Sequence, residues 1–433
     1  MTISPVSILS ARFDVEDAHL LAVAREQGAY ATLDTLFDMT PDDVTEEVKN
    51  SGLRGRGGAG FPAGIKWSFL PKDTGKPVYL TVNADESEPA TFKDRYIIVR
   101  DPHLLIEGII ICCYAIGCHD AYIYIRGEYT SQYEILRSAV EEAYAAGYLG
   151  ESVAGHDFSL QLTIHRGAGA YICGEETALL ESIEGKKGQP RSKPPFPAVV
   201  GLYGCPTIIN NVQTIASLPY ILANGAAAYR AYGTEKSPGT HLFGISGHVE
   251  RPGMYELPLG LPLLGVIDEV AGGVWRGRGL KAVIPGGSST PVLTAEEAAT
   301  VTLDYESMAA HKTMFGSGGI VVLDETVDMV RVVENLIQFY HHESCGQCTP
   351  CREGLGWMEK LVRKLLAGEG SHADIDLLLE LCDNIEMKTV CVLSAACTMP
   401  VRSYLVKFRH EFEACVTEHS AAAQPAQNLE AAP

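Results

Sequence analysis

The stretch Val78-Tyr79-Leu80-Thr81-Val82-Asn83-Ala84-Asp85-Glu86-Ser87-Glu88-Pro89 joins a short apolar run to a cluster of polar side chains. Its β-branched and aromatic residues predict a strand over 78–82. The three carboxylates that follow repel one another, so a loop with a purely structural role would not favour them. Such acceptors suit ribose hydroxyls and ring N–H groups. The stretch therefore predicts a strand that ends at a ligand site.

Apolar runs and helical patterns alternate after this stretch. Helical spacing covers 103–117 and 131–146, and strand-like runs cover 121–125 and 158–164. Strands separated by helices imply a parallel sheet with right-handed crossovers. Ligands bind such sheets outside the carboxyl ends of the strands, which is where the acidic stretch falls. We therefore predict an α/β domain with its ligand site at that edge.

The pattern changes twice more along the 433 residues, a length that suits two to four domains. From about Thr240, short strands at 242–247, 254–257 and 283–287 and a helical patch at 263–270 predict a small α+β domain. From Val327 to about His419 the pattern is nearly all helical. The tail from Ala421 is rich in Ala, Gln and Pro without a period, and we expect it to be disordered.

Three cysteines stand close together in Ser344-Cys345-Gly346-Gln347-Cys348-Thr349-Pro350-Cys351-Arg352. This spacing presents thiolates to an iron–sulfur cluster, which needs a fourth ligand. Residue 355, where a ferredoxin run would supply it, is Leu355. Cys382 lies on a helical core stripe, whereas Cys391 lies in a stretch without sustained helical period. We favour Cys391 over the other downstream candidates, which are Cys382, Cys397 and Cys415.

Zinc is the alternative ligand for close cysteines, because zinc also takes four thiolates. Zinc ribbons pair two C-x2-C units, and this chain has one triple and no second pair. His341 and His342 are better explained as polar residues that end a helix. A [4Fe-4S] cluster is therefore preferred to a zinc site.

Composition restricts the partners and the compartment. The formal net charge of -20 argues against nucleic acid or an anionic membrane surface as the partner. The most apolar segment, 104–125, is interrupted by Glu107, His119 and Asp120, and the start of the chain does not resemble a signal peptide. We expect a cytoplasmic protein whose twelve cysteines are reduced or metal-bound.

A glycine-rich loop, Arg54-Gly55-Arg56-Gly57-Gly58-Ala59-Gly60-Phe61-Pro62, follows a helical pattern. It satisfies G-x-G-x-x-G, although the nucleotide-binding form of that motif follows a strand. Its glycines let the backbone approach a ligand, and Arg54, Arg56 and Lys66 add positive charge. We expect it to bind an anion such as a phosphate. The alternative is a flexible loop without a ligand.

A second acidic turn, Gly167 to Thr177, follows the third predicted strand and contains Glu175 and Glu176. A helix N-terminus also favours such carboxylates, so these two residues alone do not decide between a site and a helix start. Asn210-Asn211-Val212-Gln213-Thr214 offers donors for a phosphate or a flavin carbonyl. A nucleotide-suited domain beside an iron–sulfur cluster points to a flavin, because a flavin takes hydride and releases single electrons.

Four motifs carry a family resemblance: Gly55 to Pro62, Asn83 to Pro89, Gly174 to Thr177 and Glu343 to Arg352. Over residues 53–408 the chain resembles the NADH-binding flavoprotein subunit of bacterial respiratory complex I. The resemblance implies an N-terminal helical segment and Rossmann-like FMN/NADH domain over 1–235 and a β-grasp domain over 236–325. It also implies a helical [4Fe-4S] domain over 326–419, before a disordered tail over 420–433.

The resemblance assigns residues to three sites. The FMN residues it implies are Gly55, Arg56, Gly57, Gly58, Lys66, Asn83, Asp85, Glu86, Gly174, Glu175, Asn210, Asn211 and Thr214. The NADH residues it implies are Phe61, Phe69 and Phe196 around the adenine, Glu88 beside the nicotinamide, and Glu176 at a ribose, where its charge would disfavour NADPH. The cluster ligands it implies are Cys345, Cys348, Cys351 and Cys391.

The activity implied is oxidation of NADH by direct hydride transfer to FMN, followed by release of single electrons through the cluster. The implied partners are a thioredoxin-like [2Fe-2S] subunit and a larger Fe–S subunit, in a peripheral arm on the cytoplasmic side of a membrane that the chain itself does not enter. One alternative is the diaphorase subunit of an NAD-linked hydrogenase or formate dehydrogenase. A zinc-bearing scaffold without catalysis is another.

Two positions depart from the family pattern. Ala90 stands where relatives usually have Gly after Glu-Pro, which would stiffen the loop that carries Glu88. Cys397 is a spare thiol close in sequence to Cys391, and its substitution for Cys391 as a ligand is a weaker alternative.

Overall fold

The computed structural model describes residues 3–422, and a four-stranded parallel sheet organises the first half of the chain. The strands lie in the order β3-β2-β1-β4, with bounds β1 Val78–Ala84, β2 Cys118–Ile125, β3 Gln161–Arg166 and β4 Thr207–Asn211. At the carboxyl edge Asn83 pairs with Asn211 across β1 and β4. The predicted parallel α/β class is confirmed.

Helices cover both faces of this sheet, and its strands are therefore buried on both sides. Their bounds are α1 Leu21–Glu26, α2 Leu33–Asp38, α3 Pro41–Ser51, α4 Ala63–Trp67, α5 Asp94–Arg100, α6 Pro102–Ile116, α7 Thr130–Ala145, α8 Glu176–Ile183, α9 Val212–Ala216, α10 Leu218–Asn224 and α11 Ala226–Arg230. Leu80 and Val82 face the core that holds α6, whereas Tyr124 and Ile209 face α8.

Helix α6 is the most apolar helix. Asp101 caps it by accepting from the Leu104 amide at 3.1 Å, and Gly117 ends it with a φ of 66°. It is buried on nearly all sides within the first core. No helix within residues 3–422 is both long enough and apolar enough to cross a bilayer.

A five-stranded mixed sheet follows, in the order β6-β5-β9-β7-β8. Its bounds are β5 Thr240–Gly247, β6 Gly253–Pro258, β7 Leu280–Ile284, β8 Leu293–Thr294 and β9 Gly319–Asp324, with α12 Leu263–Gly265, α13 Ala295–Ala298 and α14 Tyr305–Ala310. A π-helical turn over Val266–Val270 continues α12. Strands β5 and β9 are parallel and the other pairs are antiparallel.

Helices form the last region, with bounds α15 Met329–Glu343, α16 Thr349–Leu366, α17 His372–Ile385, α18 Leu393–Lys407 and α19 Arg409–Ala422. Their apolar faces share one core with α8 and the second face of the parallel sheet. The last helix ends at Ala422 and so includes residues 420–422 of the predicted disordered tail, and the rest of that tail lies outside the described residues. The predicted domain boundaries stay predictions.

The N-terminal segment is fastened to the second sheet by one buried carboxylate on β6. Glu256 accepts from the amides of Ile8, Leu9 and Ser10 at 3.0, 3.0 and 2.9 Å. The hydroxyl of Thr240 adds a bond of 2.7 Å. These donors satisfy the buried carboxylate of Glu256 and hold the N-terminal segment against the five-stranded sheet.

Candidate functional site

The predicted cluster ligands Cys345, Cys348, Cys351 and Cys391 line one cavity with about 260 Å3 of space outside the protein atoms, part of it open to solvent. Cys345 follows α15, Cys348 and Cys351 begin α16, and Cys391 precedes α18. The other lining residues are Ile172, Ser344, Gln347, Thr389 and Leu393. Three helix ends therefore bring the thiols together.

The spare thiols lie elsewhere. Cys397 and Cys382 are both fully buried in the helical core and are absent from the cavity wall. His341 lies in the last turn of α15 and pairs with Glu359 at 2.5 Å. Neither Cys382 nor Cys397 lines the cavity that Cys391 lines.

The donor set of this cavity fits an iron–sulfur cluster. Four cysteines line it, and such a cluster takes one thiolate at each iron. The Ser344 hydroxyl and the Val390 amide lie 3.2 and 3.3 Å from the sulfurs of Cys351 and Cys348.

The glycine-rich loop lies beside the carboxyl edge of the parallel sheet. The Arg56 amide donates to the Thr214 hydroxyl at 2.8 Å, and a Cβ at Gly57 would lie 3.2 Å from Asn211 Cβ. Gly58 has a φ of 121°, which side-chain-bearing residues rarely adopt. A loop backbone this close to the strand ends could present its N–H groups to an anion bound there.

Arg56 supplies buried positive charge under this loop. Its guanidinium is fully buried, and Nη2 donates to the Tyr229 hydroxyl and the Pro238 carbonyl, both at 3.0 Å. Within the described part of the chain, Nε has no hydrogen-bond partner. Its partners are neutral, so the buried charge favours an anion at the loop.

The acidic stretch after β1 divides its three carboxylates among different tasks. Glu86 accepts from the Asp94 and Arg95 amides at 2.8 and 3.1 Å and from the Tyr129 hydroxyl at 2.9 Å. It therefore caps α5, and both of its oxygens accept hydrogen bonds. Burial raises the pKa of Asp85 to about 7, although the Ser87 hydroxyl donates to this carboxyl.

Glu88 connects three parts of the chain. Its Oε2 accepts from the Tyr171 hydroxyl at 2.7 Å, and its Oε1 accepts from the Ser289 amide at 2.7 Å. Tyr171 belongs to the second acidic turn, and Ser289 belongs to a loop of the five-stranded sheet. The carboxylate that the resemblance places beside the nicotinamide is thus held from both sides.

The second acidic turn pairs its carboxylates with lysines. Glu176 Oε2 lies 3.0 Å from Lys66 Nζ, and Glu176 Oε1 lies 2.8 Å from Lys193 Nζ. Lys193 also reaches Glu175 at 2.9 Å. Glu175 caps α8 through the Thr177 and Ala178 amides at 2.8 and 3.0 Å. The helix-start explanation therefore holds for Glu175, while Glu176 is paired with two lysines and its side chain is 25% exposed.

The asparagines at the ends of β1 and β4 bond to the neighbouring turn and helices. Asn83 Nδ2 donates to the Gly174 carbonyl at 2.8 Å, and Trp67 donates to Asn210 Oδ1 at 3.0 Å. Asn211 Nδ2 donates to Asp94 at 2.6 Å, and its Oδ1 accepts from Lys93 at 3.1 Å. Both lysine partners, Lys93 and Lys193, were missed at the sequence level, because no motif points to them.

The predicted adenine-side rings lie on the surface. Phe61, Phe69 and Phe196 are 46%, 55% and 59% exposed. The ring centroids of Phe61 and Phe69 are 5.9 Å apart. Large apolar rings exposed near a polar cleft suit stacking against a flat ligand rather than core packing.

Comparisons with known families match three successive regions. The family model described as Nuo51 FMN-binding domain matches residues 48–220, the SLBB domain model matches 241–323, and the NADH-ubiquinone oxidoreductase-F iron-sulfur binding region matches 331–415. Their order follows the parallel sheet, the five-stranded sheet and the helical region.

Curated relatives match nearly end to end. The second F subunit of the NADH-quinone oxidoreductase of Rhizobium meliloti is 52% identical over 412 residues, which cover 95% of this chain and 98% of the relative. The corresponding F subunit of Streptomyces coelicolor is 51% identical over 97% of this chain and 93% of its own length. That of Rickettsia bellii is 49% identical over 92% and 96%.

A solved structure shares the whole fold. The air-oxidised NAD+-reducing [NiFe]-hydrogenase contains a polypeptide with a TM-score of 0.83 and 35% identity, and the match covers 100% of this chain and 70% of that one. The identity to the quinone-linked relatives is higher and extends over nearly their full length. The thiol cavity, the phosphate-suited loop and these matches lead to one conclusion: the chain belongs to the family of NADH-quinone oxidoreductase F subunits.

Proposed function

We propose that this chain is the electron-input subunit of an NADH:quinone oxidoreductase, which oxidises NADH at FMN and passes single electrons through a [4Fe-4S] cluster. One observation carries the proposal: the turn over 170–175 serves both sites. Tyr171 on this turn bonds Glu88 at the predicted nicotinamide site, and the next residue, Ile172, lines the thiol cavity. A cleft and a cluster cavity that share a wall suit short-range electron transfer.

The chain's residues would bind and orient rather than move protons. The glycine loop amides and Arg56 would hold the flavin phosphate, and Lys66, Asn83 and Asp85 would meet the polar parts of the cofactor. Bound FMN supplies the chemistry, because it accepts hydride and releases electrons one at a time. The remaining residues of this proposed FMN site are Gly55, Gly57, Gly58, Glu86, Gly174, Glu175, Asn210, Asn211 and Thr214.

Three contacts would select NADH. Phe61, Phe69 and Phe196 would stack with the adenine, and Glu88 would position the nicotinamide. Glu176 would accept from a ribose hydroxyl and repel a 2′-phosphate. The cluster would be held by Cys345, Cys348, Cys351 and Cys391.

The proposed surroundings follow from family membership. Relatives named as F subunits imply a multi-subunit complex. We propose a thioredoxin-like [2Fe-2S] subunit and a larger Fe–S subunit as its partners, in the peripheral arm on the cytoplasmic side of the membrane. The alternative acceptor is a hydrogenase or formate dehydrogenase. It has less support, because the hydrogenase polypeptide is 35% identical to this chain, whereas two quinone-linked relatives are 52% and 51% identical.

An anaerobic absorption spectrum tests the proposal. Flavin bands and an iron–sulfur shoulder, both bleached by NADH and much less by NADPH, are the expected result. A colourless protein that stays indifferent to NADH after FMN and cluster reconstitution would contradict it. Quinone reduction by the purified parent complex, compared with hydrogen- or formate-linked NAD+ reduction, identifies the acceptor.

A further inference from the structure

Tyr305, in the five-stranded-sheet region, packs against the glycine-rich loop of the parallel-sheet region. Tyr305 is the first residue of α14, and its hydroxyl donates to the Gly55 carbonyl at 3.1 Å. Arg56 Nη1 lies 3.5 Å from the Tyr305 hydroxyl oxygen. The Arg54 guanidinium lies 3.8 Å from the centre of the Tyr305 ring, a cation–π contact. One side chain thus contacts three successive residues of the loop.

The ring also occupies the space beside Gly60. A Cβ at Gly60 would overlap Tyr305 Cε1, and Gly60 has a φ of 65°. Arg54 Nε donates to the Gly60 carbonyl at 2.8 Å, so the cation under the ring also fixes the far end of the loop. The loop and the ring therefore fit only when position 60 is glycine.

The neighbouring residue holds Arg54 in place. Glu306 Oε1 lies 2.7 Å from Arg54 Nη1, and Glu306 Oε2 accepts from the Ser237 hydroxyl at 2.6 Å. Two adjacent residues of α14 therefore hold the loop through its ring stack, its backbone and its charge.

We propose that Tyr305 is a positioning residue that sets the shape of the glycine-rich loop and thereby the affinity of the protein for the phosphate of its flavin nucleotide, with Glu306 in support. The inference rests on the proposed function, because it takes the loop to be the FMN phosphate site. Ordering a free loop costs backbone conformational entropy. If the loop is already ordered before the nucleotide binds, this entropy cost does not reduce the binding free energy.

The test compares three tyrosine variants of the full-length protein, each reconstituted with its cluster. Tyr305→Ala removes the ring and the hydroxyl, whereas Tyr305→Phe keeps the ring over Arg54 and Gly60. Tyr255→Phe is the matched control, because the Tyr255 hydroxyl donates to the Arg251 carbonyl at 2.8 Å on the exposed surface of the same unit. FMN affinity is read from the fluorescence of released flavin, and iron content and thermal unfolding are measured in parallel.

We expect Tyr305→Ala to weaken FMN binding at least about tenfold, or about 1.4 kcal/mol, with iron content unchanged. Tyr305→Phe should weaken it about threefold and Tyr255→Phe not at all. In flavin-saturated protein, the kcat of Tyr305→Phe should return to the wild-type value. FMN affinity within twofold of wild type in Tyr305→Ala would overturn the proposal.

Further variants separate the possible failures. If Tyr305→Ala does not fold, Tyr305→Phe and Glu306→Gln decide, since both keep the shape of the side chain. Unchanged FMN affinity in both would overturn the inference. Gly57→Val tests the phosphate site itself, because its side chain would meet Asn211. FMN retained in Gly57→Val would contradict the proposed site, whereas FMN lost there but kept in the Tyr305 variants would contradict the positioning role alone.

Discussion

The Nζ atom of Lys66 lies 3.0 Å from Glu176 Oε2, so a cation assigned to the flavin site holds a carboxylate assigned to the dinucleotide site. Lys193 binds the other oxygen of Glu176 at 2.8 Å. Burial opposes ionisation, but the two lysines together lower the pKa of Glu176 below its ordinary value. The carboxylate is therefore charged at neutral pH and held by both lysines, between the proposed flavin site and the proposed NADH site.

Glu176→Gln should relax the choice of nicotinamide nucleotide. The substitution removes the repulsion toward a 2′-phosphate and frees Lys66 and Lys193 to attract one. We expect kcat/KM for NADPH to rise about tenfold relative to that for NADH, or about 1.4 kcal/mol. Steady-state kinetics with both nucleotides measure this ratio. Glu141→Gln, at an exposed position on α7, is the control, and an unchanged ratio in Glu176→Gln would contradict the assignment.

Ala90→Gly should stabilise the protein. The Thr91 amide donates to the Glu88 carbonyl at 3.0 Å, and Ala90 has a φ of 76°. This is a turn with Pro89 at its second position and a left-handed residue at its third, where glycine is preferred. We expect a gain of about 0.5–1 kcal/mol in the free energy of unfolding, because relieved strain exceeds the added flexibility of the unfolded chain.

Urea denaturation measures this gain. Ala227→Gly in helix α11 is the matched substitution, and there the same change should destabilise the protein by up to about 1 kcal/mol. A loss of stability in Ala90→Gly would show that the turn does not store strain.

Cys391→Ser should remove the cluster, whereas Cys397→Ser should keep it. Cys391 lines the cavity with the three clustered cysteines, and Cys397 is buried away from it. Iron and sulfide analysis of reconstituted protein should give about four of each per chain in wild type and Cys397→Ser. Four irons retained in Cys391→Ser and lost in Cys397→Ser would reverse the ligand assignment.

Asp85→Asn should flatten the pH dependence of stability. Burial raises the pKa of Asp85 from 3.8 to about 7, so the folded protein keeps a proton that the unfolded chain has already lost between these values. The free energy of unfolding contributed by Asp85 therefore falls as pH rises from about 4 to about 7. Urea denaturation across this range should show a shallower decline for Asp85→Asn, and an equal decline in both proteins would contradict the assigned pKa.

The sequence predicted the parallel sheet because its strands carry local signals. The predicted strand at 78–82 falls within β1 (Val78–Ala84), and the predicted helix at 103–117 corresponds to α6 (Pro102–Ile116). Strand β4 was missed, since Thr207–Asn211 contains only two apolar residues. Strand β9 was also missed, although its run from Ile320 to Leu323 is typical of a strand.

The site residues were predictable only where a contiguous motif marks them. The cysteine triple and the acidic stretch after β1 are such motifs. Contacts between distant residues left no local signal: Tyr171 and Glu88 are 83 positions apart, and Tyr305 and Gly55 are 250 apart. The capping role of Glu86 was likewise hidden, because the helix that it caps begins eight residues later.

The bonds from the N-terminal segment to Glu256 also constrain the order of events during synthesis. Ser10 and Glu256 are 246 residues apart, which a ribosome adding about 5–20 residues per second needs roughly 12–50 s to translate. The amides of Ile8, Leu9 and Ser10 cannot form these bonds until strand β6 has emerged. The first residues made are thus among the last to settle.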